Sequence, residues 1–102
     1  MIRVVAVLTA KPGRREELLT LFRANVPAVR KEKGCHEYTP VIDAEGAGPH
    51  QTQFGPDTFV VMETWESLAA LEAHRTAPHM LTFGKAIRDM IADRKIYVLS
   101  PA

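Results

Sequence analysis

Residues 2–9, Ile-Arg-Val-Val-Ala-Val-Leu-Thr, and residues 58–65, Thr-Phe-Val-Val-Met-Glu-Thr-Trp, are β-branched or apolar at nearly every position. Successive side chains of a strand point to opposite faces, so a sheet built on these two segments has hydrophobic side chains on both sides. Two helical segments can roof only one face of such a sheet. The other face needs a cover, and the economical one is a second copy of the same sheet, packed face to face about a two-fold axis. The patterning therefore predicts a homodimer formed by sheet-on-sheet packing.

Between and beyond these strands the apolar period changes. Lys11-Pro12-Gly13 is a turn signal, after which Leu18, Phe22, Val26 and Val29 recur at helical spacing, with Glu16, Glu17, Arg23, Arg30 and Lys31 on the solvated side. This predicts a helix from about Arg14 to about Lys33, kinked or broken at Pro27 and ended by Gly34 as a left-handed cap. Residues 35–43 read as a second strand. Residues 44–57, with three glycines, read as a long hairpin connection. Ser67 is a candidate N-cap for a helix reaching Arg75. Pro78 suits the first turn of a further helix whose residues Met80, Phe83, Ile87 and Ile91 share a face. Residues 96–99 read as the closing strand. The order is β-α-β-β-α-β, which predicts an α+β class, ferredoxin-like domain with a four-stranded antiparallel sheet, occupying 1–102 as one unit.

The chain has 102 residues, 46% hydrophobic and 25% charged, with net charge +1, the composition of an ordinary globular protein. Arg14-Arg15 is followed at once by Glu16-Glu17, and no basic stripe interleaved with aromatics occurs, so a nucleic-acid partner is not expected. The longest apolar runs fall far short of the roughly 20 residues of a membrane span. Met1 opens directly onto a strand-like run with no signal-peptide pattern, and the single cysteine, Cys35, cannot pair within the chain. Both suggest a cytoplasmic protein. Dinucleotide, phosphate-loop and serine-hydrolase motifs are missing from the sequence. His74 and His79 are five apart with Pro78 between them, which does not fit a helical metal pair, so no metal site is expected. Cys35 beside His36 reads better as a small buried hydrophobe than as a nucleophile.

The informative stretch is residues 59–80, FVVMETWESLAALEAHRTAPHM, where a strand end runs into a broken helix. Such a junction can line a pocket in which an aromatic wall and an imidazole hold a flat organic molecule. His74 is the candidate proton acceptor or hydrogen-bond donor toward a phenol or quinol oxygen. Its alternative is a packing role at the end of the short helix. His79 offers a second polar contact or is simply solvated. Trp65 is either a pocket wall or a core anchor, and Phe83 is a candidate apolar wall. Glu63 stands in an otherwise apolar strand, where an unpaired carboxylate is costly. A structural salt bridge to an arginine is the favoured reading there. Tyr38 lies, by alternation, on the face opposite Cys35 and Glu37, and either reaches the pocket or packs. Asn25 is a weaker candidate amide donor.

Taken with their spacing, these residues carry a resemblance. Lys11-Pro12-Gly13 with the following Glu-Glu-Leu-Leu, Glu32-Lys33-Gly34-Cys35 with Tyr38, Glu63-Thr64-Trp65-Glu66-Ser67, and Ala73-His74 with Ala77-Pro78-His79 resemble the antibiotic-biosynthesis-monooxygenase family of dimeric α+β barrels. The most specific part is Glu-x-Trp-x-Ser followed by the two histidines. The resemblance implies a homodimer, a pocket between sheet and helices in each subunit, and no cofactor. The activities it implies are oxygenation of polycyclic phenols, oxidation of quinols, or isomerisation of small phosphorylated or keto compounds. The pattern of the haem-degrading branch is not met: strand one has no asparagine, His74 stands near the helix tryptophan position, and Gly84 near that of the iron-ligating histidine.

The leading expectation is a cofactor-independent monooxygenase or quinol oxidase acting on a small aromatic substrate and dioxygen. His74 and Tyr38 would be its catalytic groups, and Trp65, His79, Phe83, Glu63 and Asn25 would contact the substrate. An isomerase of a small oxygenated metabolite, which would favour a cation-lined pocket, and a non-catalytic binding domain are the alternatives.

Overall fold

The computed structural model describes residues 1–102. Four strands, β1 (Ile2–Ala10), β2 (Cys35–Val41), β3 (Thr58–Trp65) and β4 (Ile91–Leu99), form one sheet in the order β2-β3-β1-β4, every neighbouring pair antiparallel. Helices α1 (Arg15–Arg30), α2 (Leu68–Arg75) and α3 (Pro78–Ile87) complete the βαββαβ order of a ferredoxin-like domain, the last helical step being split in two. The two doubly apolar segments are the central strands, paired in continuous register from Ile2 opposite Trp65 to Thr9 opposite Thr58.

Alternation sorts their side chains. Val4, Ala6, Leu8 and Ala10 of β1 and Phe59, Val61, Glu63 and Trp65 of β3 are all buried on the helix side. There Leu18, Leu19, Phe22, Val26 and Val29 of α1 pack onto them, as the helical spacing predicts. Phe22 is the hub, stacked on Tyr38 at 5.4 Å and meeting Phe59 and Phe83 edge-on at 5.2 and 5.9 Å. The opposite face has no helix. Met62, Val41, Tyr97 and Leu99 are exposed on it, and Phe54 from residues 44–57 lines a shallow groove there with Val5, Val7 and Tyr97.

Local chemistry explains the helix boundaries. Ser67 Oγ accepts the Ala70 amide at 3.1 Å and caps α2, and Pro78 occupies the first turn of α3. Helix α1 ends at Arg30 and runs through Pro27 without a break. Pro27 lies on the exposed side, so water can satisfy the carbonyl its missing N–H leaves free. Gly34, at φ +85°, lies in the following turn rather than capping the helix directly.

Two sequence expectations are corrected. Ile91 does not continue the face of α3: the helix stops at Ile87, a 3₁₀ turn covers Arg88–Met90, and β4 begins at Ile91, five residues earlier than expected. The polar run Ala92-Asp93-Arg94-Lys95 masks the strand, because an edge strand exposed on both faces needs no apolar alternation. Nor does Cys35 lie opposite Tyr38. The β2–β3 register shifts between Cys35 and Glu37, so Cys35 faces Trp65 and Tyr38 faces Glu63, both toward the helices. Burial there pushes the Cys35 thiol pKa up, which suits a packed thiol rather than a nucleophile.

Candidate active site

A cavity of about 710 Å³ lies between the helix side of the sheet and all three helices, a size suited to a small organic molecule. Its floor is Val4, Ala6 and Leu8 of β1 with Val61 of β3, and Phe22 and Phe83 wall it. The helix–sheet layering opens at the β4 edge, where Ile96 and Arg94 line it; Arg75, Lys85 and Arg88 add further cations. Of these four cations only Arg75 has a carboxylate partner, Glu72 on its own helix.

Besides these cations, three nearly buried titratable side chains line the cavity: Tyr38 from β2, Glu63 from β3 and His74 from the last turn of α2, at 3%, 7% and 5% exposure. Each retains a polar atom with no protein partner. Glu63 Oε1 accepts the Trp65 indole N–H at 2.9 Å, which leaves Oε2 free. His74 Nδ1 lies 2.9 Å from Glu32 Oε2, which leaves Nε2 free. The Tyr38 hydroxyl has no protein hydrogen bond. None of these atoms is walled in, since the one fully enclosed side-chain atom without a partner is Arg15 Nε. Each therefore keeps a polar atom open to the cavity or to solvent.

Surrounding groups hold them in place. The His74 ring is tilted against the Trp65 indole at 4.7 Å and meets the Tyr38 ring edge-on at 5.5 Å. Burial, assisted by the nearby Glu63 and Glu32 carboxylates, raises the Tyr38 pKa far above that of an ordinary phenol, so its hydroxyl stays a donor. Burial also raises the Glu63 carboxyl, opposed by the Trp65 hydrogen bond and by His74. No trio of histidine, cysteine or carboxylate side chains is arranged to hold a metal ion.

The structure thus brings together at the cavity His74, Tyr38, Glu63 and Phe83 from the residues singled out in the sequence. Trp65 is fully buried and does not line it; it backs Glu63 and His74 instead. His79 is half-buried outside it, with Nε2 2.8 Å from Glu32 Oε2. Asn25 donates from Nδ2 to Met80 Sδ at 3.3 Å and also lies outside the lining. The arginine salt bridge expected for Glu63 is not formed; the indole two residues along the same strand face takes one of its oxygens instead. Residues 44–57 contribute nothing to the lining.

Glu32 was missing from the sequence candidates. It lies between Lys31 and Lys33 in what reads as a solvated turn. The available signal was indirect: two histidines flank a helix break, and residues 74–79 contain no carboxylate to pair with either.

The fold is a ferredoxin-like sheet whose helix-covered face carries a cavity, lined among others by an imidazole, a phenol and a carboxyl. The chain belongs to the antibiotic biosynthesis monooxygenase family, whose model matches residues 1–86. It is 39% identical over 103 residues to the protein named "Probable quinol monooxygenase YgiN" of Escherichia coli K12, covering 99% of this chain and 98% of that one. Among solved structures, PA3566 of Pseudomonas aeruginosa superposes with a TM-score of 0.81 at 30% identity, covering 99% of this chain and 93% of the other. Rv0793 of Mycobacterium tuberculosis gives a TM-score of 0.80 at 26% identity over 99% and 94%.

Proposed function

We propose that the chain is a cofactor-independent monooxygenase or quinol oxidase acting on a small aromatic phenol or quinol. The observation that carries this reading is the set of three nearly buried polar side chains that line one aromatic-walled cavity and each keep a polar atom without a protein partner. The family membership and the name of the Escherichia coli relative point to the same class of reaction.

In this reading a flat ring lies against Phe22 and Phe83, and His74 Nε2 takes its hydroxyl proton. The oxyanion left behind makes the ring electron-rich, and the Tyr38 hydroxyl, held protonated by burial, donates a hydrogen bond to it. Electrons pass from the ring to dioxygen, so the substrate is the reductant. A quinol and dioxygen give a quinone and hydrogen peroxide; a phenol and dioxygen give a quinone and water. Glu63, kept protonated to higher pH than an ordinary glutamate, donates a proton to reduced oxygen in this scheme. Trp65 acts as a positioning residue through Glu63 and His74. His79 and Asn25 act from outside the cavity wall.

Isomerisation of a small oxygenated metabolite is the second reading, favoured by one observation: the four cations among the lining residues. Oxygen consumption separates the two. With quinols and polycyclic phenols as substrates, the wild type is expected to take up oxygen and folded His74→Ala to lose about 100-fold or more in kcat. Uptake unchanged in that variant removes His74 from the chemistry. Conversion of a substrate without oxygen uptake favours the isomerase.

The functional unit in this proposal is a homodimer, its subunits joined through the bare sheet face. Support comes from the exposed Met62, Val41, Tyr97 and Leu99 on that face, and from Phe54 beside them. No helix is long and apolar enough to cross a membrane. A free Cys35 suits the cytoplasm as the site of action.

A further inference from the structure

One carboxylate oxygen stands between two imidazoles that the chain delivers from different elements. Glu32 Oε2 lies 2.9 Å from Nδ1 of His74, in the last turn of α2, and 2.8 Å from Nε2 of His79, in the first turn of α3. The turn that carries Glu32 is held at both ends. The Glu32 amide donates to the Val29 carbonyl at 2.9 Å, and the Glu32 carbonyl accepts the Cys35 amide at 3.2 Å. Gly34 then docks the turn on α2: its carbonyl accepts the Glu66 amide at 2.9 Å, and a Cβ there would stand 2.7 Å from Ala70 Cβ. Ala70 and His74 are four apart and share a helix face, so the contact that needs Gly34 also sets Glu32 opposite His74.

We propose that Glu32 is the positioning residue of the site, holding His74 with its proton on Nδ1 so that Nε2 is the free acceptor toward the cavity. This rests on the reading of His74 as proton acceptor. The chemistry of the donor set supports it. An ionised carboxylate oxygen only accepts, so both nitrogens that touch it carry hydrogen. A neutral His74 with hydrogen on Nδ1 has its lone pair on Nε2, the atom left without a protein partner. Trp65 and Tyr38 pack against the ring and oppose a flip that would put Cδ2 where Nδ1 meets Glu32. The Glu32 side chain is 13% exposed, and His79, bonded to the same oxygen, ties it down from the α3 side.

In the reaction, the substrate O–H bond breaks and its proton forms a bond to His74 Nε2, the electron pair staying on the substrate oxygen. The resulting imidazolium keeps its Nδ1–H on Glu32, whose negative charge compensates the new positive one. The proton is not passed on to the carboxylate. His79 orients the carboxylate and takes no part in the transfer.

The test reads the tautomer directly. In ¹⁵N NMR of the imidazoles at alkaline pH, wild-type His74 is expected to be protonated at Nδ1 and bare at Nε2. Glu32→Ala should lose that preference and lower kcat at least about tenfold with a smaller change in KM. Glu32→Gln retains an acceptor oxygen without the charge, so it should keep the tautomer while kcat still falls. His79→Ala should leave the His74 tautomer unchanged. An Nε2–H tautomer in the wild type overturns the proposal, as does an unaltered Nδ1–H tautomer in folded Glu32→Ala. If Glu32→Ala does not fold, the wild-type and Glu32→Gln spectra still decide. The spectra need no substrate, so they stand even if no compound supports oxygen uptake, a result that would instead count against the monooxygenase reading.

Discussion

The two faces of the sheet are built from the same central strands and have opposite fates. On the helix side, Val4, Ala6, Phe59 and Val61 are at most 4% exposed, and the cavity with its imidazole, phenol and carboxyl opens among them. On the other side Met62, Val41 and Tyr97 are 38%, 39% and 49% exposed. The difference teaches how a small chain separates two tasks. Alternation along one strand supplies both a core and a free adhesive surface, and the helices decide which is which.

The sharpest way to break this contrast is to truncate a large apolar side chain on each face. Phe59→Ala removes a fully buried ring in contact with Phe22, and about 3–5 kcal/mol of stability should go with it, enough to unfold much of a domain this size. Met62→Ala, three residues away on the opposite face, should cost much less at high dilution. If a second copy covers Met62, its cost should grow with protein concentration, because only the assembled form buries it. Denaturant titration at two widely separated concentrations measures both. A concentration-independent cost for Met62→Ala would mean that the outer face is simply solvated.

A charge placed on the outer face sharpens the same point. Val5→Asp lies on β1 with its side chain in the shallow groove beside Tyr97, away from the helices. Two such carboxylates brought together by a two-fold axis are costly to bury. Sedimentation velocity should find the wild type at twice the chain mass and Val5→Asp at the chain mass, with the circular dichroism of the two alike. A wild type that sediments as one chain at micromolar concentration would refute the homodimer.

How much of this was legible in the sequence follows the same division. The central strands and α1 were plain because their burial imposes a period, and the turns around Lys11-Pro12-Gly13 and Ser67 carry their own chemistry. β4 was read short because nothing covers it, so no period is imposed on residues 91–95. Cys35 was placed on the wrong face by a one-residue register shift that alternation cannot reveal. At the site, Tyr38, Glu63 and His74 stood out as polar groups beside apolar runs, and they do meet at the cavity. Trp65 gave the same signal but lies behind the cavity wall. Glu32 was invisible because its partners are 42 and 47 residues away in sequence. They meet through tertiary packing, in which the turn at Gly34 lies close against Ala70.

The smallest effect separates the faces by pH. On the helix side, burial raises the Glu63 pKa above the ordinary 4.5. A carboxyl with a raised folded pKa binds its proton longer in the folded state than in the unfolded one. Stability must therefore fall as pH climbs from 4.5 through the raised value, and it stays lower above that value. Glu63→Gln removes this dependence, and its amide oxygen can still accept the Trp65 indole N–H. Thermal melts of the two proteins should nearly coincide at the acid end and separate as pH rises, with Glu63→Gln the more stable at neutral pH. A wild type that instead gains stability over Glu63→Gln as pH rises would mean that the Glu63 carboxylate is compensated inside the cavity, and its part as a proton donor would have to be given up.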